Sequence, residues 1–298
     1  MPATVHHLRV LEPAEGVLAF YEGRDGHRFA EGSNWVDDGA LSLGVASYAV
    51  LSGTDAVVYD THVSVERGHY IRSVLQARGV QRFTVVLSHW HLDHVAGTAA
   101  FADCEIISSD RTAQLLSKFK PAIEAGSHEG PPAIDPLLLP TSSFTDRFTL
   151  NVGAVELELL HTNIHSDDAT VIWLPHRRVL LCGDTMEDTV TYVDEPSNFD
   201  AHLTGLGELW QLAPDRILPN HGDPDVISAG GYGKDFIDAT EDYIRVLMRC
   251  RSDPEVRTTS LRELIARPLE AGSIHYFAPY EAVHRSNIET VLNSGDSE

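Results

Sequence analysis

The feature that most constrains this chain is a cluster of potential metal ligands directly after an apolar run. The run Phe83–Leu87 is typical of a strand buried on both faces, and residues 89–94 then read HWHLDH. In an extended segment, residues two apart point to the same side, so His89 and His91 can bind one ion. Imidazoles and a carboxylate crowded at a strand end are costly unless they bind a cation. The segment therefore predicts a metal centre.

Further ligands are expected at later strand ends. Asp93 and His94 follow as the chain turns into a helix, and they can face a second ion beside the first. Three more candidates each come shortly after an apolar run, namely His165, Asp184 and His221. Loops that leave neighbouring strands can converge on one centre, so we predict that all of these residues form one site.

Composition excludes several other classes of protein. The 298 residues are 43% hydrophobic, which suffices for a core without disulfides. The formal net charge of −22 disfavours nucleic acid and anionic membranes as partners. Three cysteines without a CxxC pair fit a reducing compartment. Residues 1–15 contain no apolar h-region, so we expect no signal peptide and a cytoplasmic location.

Strands and helices alternate in two successive blocks. The pattern predicts two mixed β-sheets packed together with helices outside, an α/β four-layer αββα sandwich in a single domain spanning 1–298. Its core is expected at about 15–225, with a helical part at 226–298. The predicted strands are 47–51, 56–60, 83–87, 105–108, 148–151, 155–161, 169–174, 179–182 and 216–219. The predicted helices are 64–78, 95–101, 109–118, 202–212, 235–251, 260–267 and 280–293.

The segment 121–146 is rich in proline and glycine. Long loops are often functional or mobile, so it is interpreted as either a lid over the site or a surface excursion. The apolar stripe of the last helix is expected to pack on the sheet or on a second subunit, which leaves a homodimer as an open alternative.

The order and spacing of these motifs resemble the metallo-β-lactamase-fold hydrolase superfamily over roughly residues 47–222. The resemblance implies that His89, His91 and His165 hold one metal ion. It implies that Asp93, His94 and His221 hold a second ion, with Asp184 bridging the two. Two zinc ions are the expected cofactors, and iron or manganese are alternatives. Asp60 is expected to support a ligand histidine.

The chain departs from familiar branches of the superfamily in two places. Many of these hydrolases have a Thr-Pro-Gly-His turn before the third histidine element, whereas residues 162–165 here read TNIH. True β-lactamases of the class with a cysteine ligand place it where Asp184 stands. An Asp-bridged site resembles glyoxalase II and lactonases more closely.

The resemblance implies a metal-dependent hydrolase that attacks a small ester, lactone, thioester or related acyl substrate with a hydroxide held between the two metal ions. Asp93 and Asp184 are the catalytic candidates, because either can pass a proton to the leaving group. The alternatives are phosphodiester or phosphotriester hydrolysis, β-lactam hydrolysis, iron-dependent oxygen chemistry and a non-catalytic metal-binding protein. Residues expected near the substrate are His161, Trp90, Tyr192, Trp35, His128 and Tyr232.

Overall fold

The computed structural model describes residues 5–294, and the first and last four residues of the expected 1–298 domain lie outside that range. Within it, twelve strands form two mixed sheets. The first sheet has the order β1-β2-β3-β4-β5-β6-β7, with strands Arg9–Ala14, Val17–Glu22, Val45–Ser52, Asp55–Tyr59, Arg82–Val86, Glu105–Ser109 and Ser142–Phe144. The second has the order β12-β11-β10-β9-β8, where β8–β12 are Arg147–Val152, Val155–His161, Thr170–Leu174, Val179–Gly183 and Arg216–Pro219.

The helices surround the two sheets. In chain order α1–α11 are Leu41–Leu43, Val65–Ala77, Leu92–Val95, Asp110–Glu124, Phe199–Leu212, Pro224–Ser228, Asp235–Arg249, Pro254–Thr258, Leu261–Leu264, Ala266–Ala271 and Tyr280–Asn293. None of the helices among residues 5–294 combines the length and apolar character needed to cross a bilayer.

Alternate residues of β2 point into two different cores, which explains its continuous apolar sequence. Val17, Ala19 and Tyr21 belong to a core that contains residues of β9, β10 and β11 and extends to α5 and α7. Leu18 and Phe20 belong to a second core that contains residues of α2. The central strands are therefore buried on both faces, and the four-layer αββα prediction is confirmed.

The two sheets are joined by buried tyrosines at the edge where the ligands lie. The Tyr48 hydroxyl donates to the carbonyl of Pro219 at 2.5 Å, and the Tyr59 hydroxyl donates to the carbonyl of Thr170 at 2.5 Å. A buried hydroxyl must be hydrogen-bonded to offset its desolvation. These bonds consequently fix the position of one sheet against the other beside the site.

Several predicted elements match the structure and several do not. The predicted helix 280–293 coincides with α11. The first hairpin, β1 and β2, was not predicted, so the first sheet begins at Arg9 rather than near residue 15. Helix α4 continues through Pro121 to Glu124, beyond the predicted end at residue 118. The helix predicted at 260–267 is interrupted at Ile265 and continues as α10.

Candidate metal centre

The ligand residues lie where strands of both sheets end. His89 follows β5, Asp184 follows β11, His221 follows β12, and His165 lies in the connection between β9 and β10. Backbone hydrogen bonds tie these ends together across the sheets: Ala46 N donates to Asn220 O, and Thr170 N donates to Ser88 O, both at 2.7 Å. The packing of the sheets thus brings together residues that are far apart in sequence.

All seven predicted ligands meet in this place. They form two groups in which the potential ligand atoms lie within 4.8 Å of one another: His89, His91, His165 and Asp184 in one, and Asp93, His94 and His221 in the other. The first group is the predicted first site with the predicted bridging residue. The second group is the predicted second site.

Asp184 lies between the two groups. Its Oδ2 atom is 3.1 Å from Nε2 of His94 and 3.3 Å from Nε2 of His221. The same oxygen is 3.6 Å from Nε2 of His89. One carboxylate oxygen therefore approaches imidazoles of both groups, which is the position that a bridging ligand requires.

The outer nitrogens of the imidazoles are held by other groups. His94 Nδ1 lies 3.0 Å from Asp60 Oδ2, and His221 Nδ1 lies 2.6 Å from the carbonyl oxygen of Gly44. His165 Nδ1 donates to the carbonyl of Tyr192 at 3.0 Å. A proton held on the outer nitrogen leaves the inner Nε2 free as a ligand atom.

His91 is oriented the other way round. Its Nε2 lies 2.9 Å from Asp194 Oδ2, and its Nδ1 lies 3.1 Å from Nε2 of His165. The ligand atom of His91 is accordingly Nδ1. Asp194 was not identified from the sequence, since nothing distinguishes it there from other acids in loops.

Asp60 supports one histidine in each group. Besides His94, it contacts Ser88, whose hydroxyl donates to Asp60 Oδ2 at 2.6 Å. The same hydroxyl lies 2.9 Å from His89 Nδ1 and can accept its proton. Asn220 Nδ2 donates to Asp60 Oδ2 at 2.5 Å. Asp60 is fully buried, and it lies where the predicted supporting role places it.

The residues fit a metal ion. Among the described residues, the buried atoms Nε2 of His89 and Oδ1 of Asp184 have no hydrogen-bond partner. Buried polar atoms are rarely left unpaired, and a cation offers both of them a partner. Imidazole nitrogens with carboxylate oxygens suit zinc, iron or manganese.

The backbone is strained at two of these positions. Asp60 has a φ of 65° and His165 has a φ of 73°. Residues other than glycine seldom occupy the left-handed region, and such strain is concentrated at functional sites. Asp60 directly follows β4, and His165 lies between β9 and β10. The strained backbone thus occurs where these two residues meet the ligand cluster.

Charge is divided unevenly over the cluster. Burial opposes ionisation of Asp184, but His221 and His94 outweigh it and hold the pKa of this carboxyl well below its usual range. Burial lowers the pKa of His94 and His221, yet the adjacent Asp184 raises both well above the ordinary value. Burial, together with the neighbouring His94, lowers the pKa of His89 well below the ordinary value for histidine.

A cavity of about 380 Å³ opens over the ligands. Asp93, His91 and Asp184 form part of its floor, and Trp35 and Tyr192, both expected near the substrate, line its walls. Three carboxylates that were not predicted from the sequence also line the cavity, namely Glu129, Glu187 and Asp194. Glu129 belongs to the 121–146 segment, so part of that segment forms a wall of the cavity.

Other expected substrate residues do not line this cavity. His161 Nε2 lies 2.9 Å from the carbonyl oxygen of Asp167. The Trp90 ring stacks on Phe119 with centroids 4.8 Å apart, and His128 packs beside it. The Tyr232 hydroxyl donates to Asp188 Oδ2 at 2.7 Å. These residues pack around the site without reaching its floor.

Comparison with known proteins agrees with this geometry. A family profile described as the metallo-beta-lactamase superfamily matches residues 42–223, more than half of the chain. The chain belongs to the metallo-β-lactamase superfamily, a fold of metal-dependent hydrolases, and the predicted family and enzyme class are confirmed.

Curated relatives match part of the chain. Two proteins named beta-lactamase-like protein 2 homolog, from Caenorhabditis elegans and Drosophila melanogaster, are each 26% identical, over 60% and 61% of this chain. The matches span only 56% and 60% of those relatives' own length.

Solved structures share the fold. A metallo-beta-lactamase from Pontibacter korlensis superposes with a TM-score of 0.56 at 18% identity, over 78% of this chain and 99% of that one. The DIM-1 metallo-beta-lactamase exposed to ceftazidime gives 0.55 at 17% identity, over 78% and 98%. At this identity the likeness concerns the fold alone.

Proposed function

We propose that the protein is a binuclear zinc-dependent hydrolase of a small ester, lactone, thioester or related acyl substrate. The observation that carries the proposal is the position of Asp184, whose Oδ2 approaches imidazoles of both ligand groups at 3.1–3.6 Å. His89, His91 and His165 would hold one ion, and Asp93, His94 and His221 the other.

When bound, such ions supply a hydroxide nucleophile near neutral pH and polarise the substrate oxygen. Asp93 is partly exposed on the cavity floor, with its two oxygens 3.3 Å from His94 Nε2 and 3.2 Å from His221 Nε2. Asp93 lines the cavity, and it is the candidate to take up the proton that the attacking hydroxide releases and to pass it to the leaving group.

The cavity favours acyl substrates over phosphoesters. Phosphate recognition commonly uses arginine or lysine, and none lines the cavity among the described residues. The departure from the cysteine-ligand β-lactamases, with Asp184 at the bridging position, makes β-lactams a less favoured substrate than esters and lactones.

Metal analysis and a substrate panel test this proposal together. Protein purified without added metal is analysed by elemental mass spectrometry and assayed on lactones, thioesters, β-lactams and phosphodiesters. We expect about two zinc ions per chain and hydrolysis of an acyl substrate. Asp184→Asn should lower activity by at least about a thousandfold and lose metal, whereas the exposed Asp200→Asn should leave both unchanged.

Two outcomes would contradict the proposal. A single iron without hydrolysis would indicate oxygen chemistry. Full metal loading of Asp184→Asn with unchanged activity would remove the bridging role on which the proposal depends.

A further inference from the structure

We propose that the substrate of this hydrolase is cationic, an ester or lactone carrying an ammonium group that binds between Glu129, Asp194 and the ring of Trp35. The inference rests on the proposed function, since it names the class of substrate that the same cavity selects. It concerns recognition of the substrate at the cavity wall and does not alter the hydrolysis proposed for the metal ligands on the cavity floor.

The cavity contains more negative charge than its metal ions can neutralise. Five carboxylates line it, namely Asp93, Asp184, Glu129, Glu187 and Asp194, and no lysine or arginine lines it within residues 5–294. Two divalent ions would bring four positive charges, and a hydroxide bound to them would return one negative charge. The buried Asp60 behind the ligands adds another. A cavity wall of one sign concentrates ligands of the opposite sign.

Glu129 is the carboxylate least committed to the protein. Its Oε1 lies 3.6 Å from His128 Nε2, and about half of its side chain, 48%, is exposed. Asp194, by contrast, bonds to His91, and Glu187 accepts from the amide of Tyr192 and the hydroxyl of Tyr280. Glu129 is therefore free to pair with a ligand at the cavity mouth.

The negative field continues beside the cavity. Burial, followed by the charges of Asp194, Asp167 and Asp168, raises the pKa of Glu195 to about 7. Of these acids, Asp167 has an arginine partner, Arg111, at 2.8 Å. The raised pKa of Glu195 indicates an excess of negative charge around this residue, which follows Asp194 of the cavity wall in the chain.

Trp35 provides an aromatic wall for the same ligand. Its indole Nε1 donates to the carbonyl of Pro132 at 2.9 Å, and its backbone amide donates to Pro131 O at 3.3 Å. The ring is thus held in place and is mostly buried. Aromatic rings beside carboxylates are a recurrent arrangement for binding ammonium groups, whereas a carboxylate or phosphate ligand would be repelled here.

Esters that differ only in charge test the proposal. The zinc-loaded protein is assayed with acetylcholine, its neutral isostere 3,3-dimethylbutyl acetate, and 4-acetoxybutanoate. We expect kcat/KM to be at least about tenfold higher for the cation than for the isostere, lowest for the anion, and to fall with ionic strength for the cation alone. Glu129→Gln should reduce the cation's advantage about fivefold. The exposed Glu156→Gln, at the far end of β9 from the site, should not change it.

A binding measurement separates this inference from the proposed function. Choline and 3,3-dimethyl-1-butanol are titrated calorimetrically into the zinc-loaded protein and into Glu129→Gln. Tighter binding of choline, weakened by Glu129→Gln, supports the inference even if neither ester is turned over. Equal binding of the two alcohols overturns the inference. A kcat/KM that is equal for acetylcholine and 3,3-dimethylbutyl acetate, or that is highest for 4-acetoxybutanoate, overturns it as well. Hydrolysis of the neutral ester in that case leaves the hydrolase proposal standing.

Discussion

The ligand edge, which is the set of seven ligand residues at the strand ends, and the outer wall of the cavity are built in different ways. At the ligand edge, buried side chains follow regular strands, and each imidazole has a second bond that fixes its orientation. The outer wall consists of Trp35 and the loop around Glu129, which are joined by two hydrogen bonds to the carbonyls of Pro131 and Pro132. The ligands are therefore held by the packing of the two sheets, whereas the outer wall is held by hydrogen bonds between two segments that lie outside the sheets.

The largest effect is expected where the backbone beneath the ligand edge is most crowded. A Cβ atom on Gly97 would lie 2.0 Å from the carbonyl oxygen of Thr61, which cannot move independently of its neighbours. Thr61 N donates to His94 O at 2.7 Å. We expect Gly97→Ala to lower the free energy of unfolding by about 2–3 kcal/mol and to weaken metal binding through His94.

Chemical denaturation and metal titration measure both effects. Gly207→Ala is the matched control, because nothing lies within 4 Å of its added Cβ in helix α5, and alanine there should stabilise the protein slightly. Equal stability of the two variants would show that the contact between Gly97 and Thr61 does not constrain the site.

The second prediction concerns Asp60. Asp60→Asn replaces one of two accepting oxygens by an NH2 donor, so residue 60 can no longer accept from Ser88, His94 and Asn220 together. Because Ser88 also contacts His89, both ligand groups should be affected. We expect a 10–100-fold loss of metal affinity, measured by competition with a chelator. Asp55→Asn, at the opposite end of β4, removes a surface ion pair with Arg82 and should leave metal affinity unchanged. A loss confined to one of two bound ions would contradict the shared support.

The third prediction is the pH dependence of metal binding. Asp184 raises the pKa of His94 and His221 in the metal-free protein, and both must lose their protons to act as ligands. Low pH therefore stabilises the metal-free form, and metal affinity should rise with pH by about tenfold per unit for each proton released. Chelator competition at pH 6, 7 and 8 measures this slope. A flat profile would show that the imidazoles are already neutral.

The smallest effect is expected at the outer wall. Trp35→Phe keeps an aromatic ring but removes the hydrogen bond to Pro132, which contributes about 1 kcal/mol. We expect kcat/KM to fall about threefold while the metal content stays unaltered. Steady-state kinetics and elemental analysis measure the two quantities. Loss of metal in this variant would show that the wall and the ligand edge are not separable.

The ligand edge could be predicted from sequence because its signals are local. Residues 89–94 follow a continuous apolar strand, and the later ligands each follow a further apolar run. Strand ends converge in a packed pair of sheets, so the residue types and their positions sufficed. The orientation of His91 toward Asp194 left no such signal, since it depends on which ring nitrogen the neighbouring loop contacts.

The outer wall could not be predicted because its parts come from separate segments. Trp35 and Pro132 are 97 positions apart, and nothing in either segment identifies the other. Trp90 lies between two ligands in sequence and His161 lies four residues before His165. Packing nevertheless directs His161 toward Asp167 and Trp90 toward Phe119. Helix α4 passes beyond its predicted end although Pro121 has no N–H to donate to the carbonyl of residue 117, so the proline costs one backbone hydrogen bond without ending the helix.

The number of metal ions bound per chain decides whether the seven ligand residues form one site or two. Native mass spectrometry during zinc titration of the metal-free protein would count the ions without relying on a substrate. We expect saturation at two zinc ions per chain, with one retained when His221→Ala disrupts the second ligand group. Saturation of the unaltered protein at a single ion would contradict the division of the seven side chains into two sites bridged by Asp184.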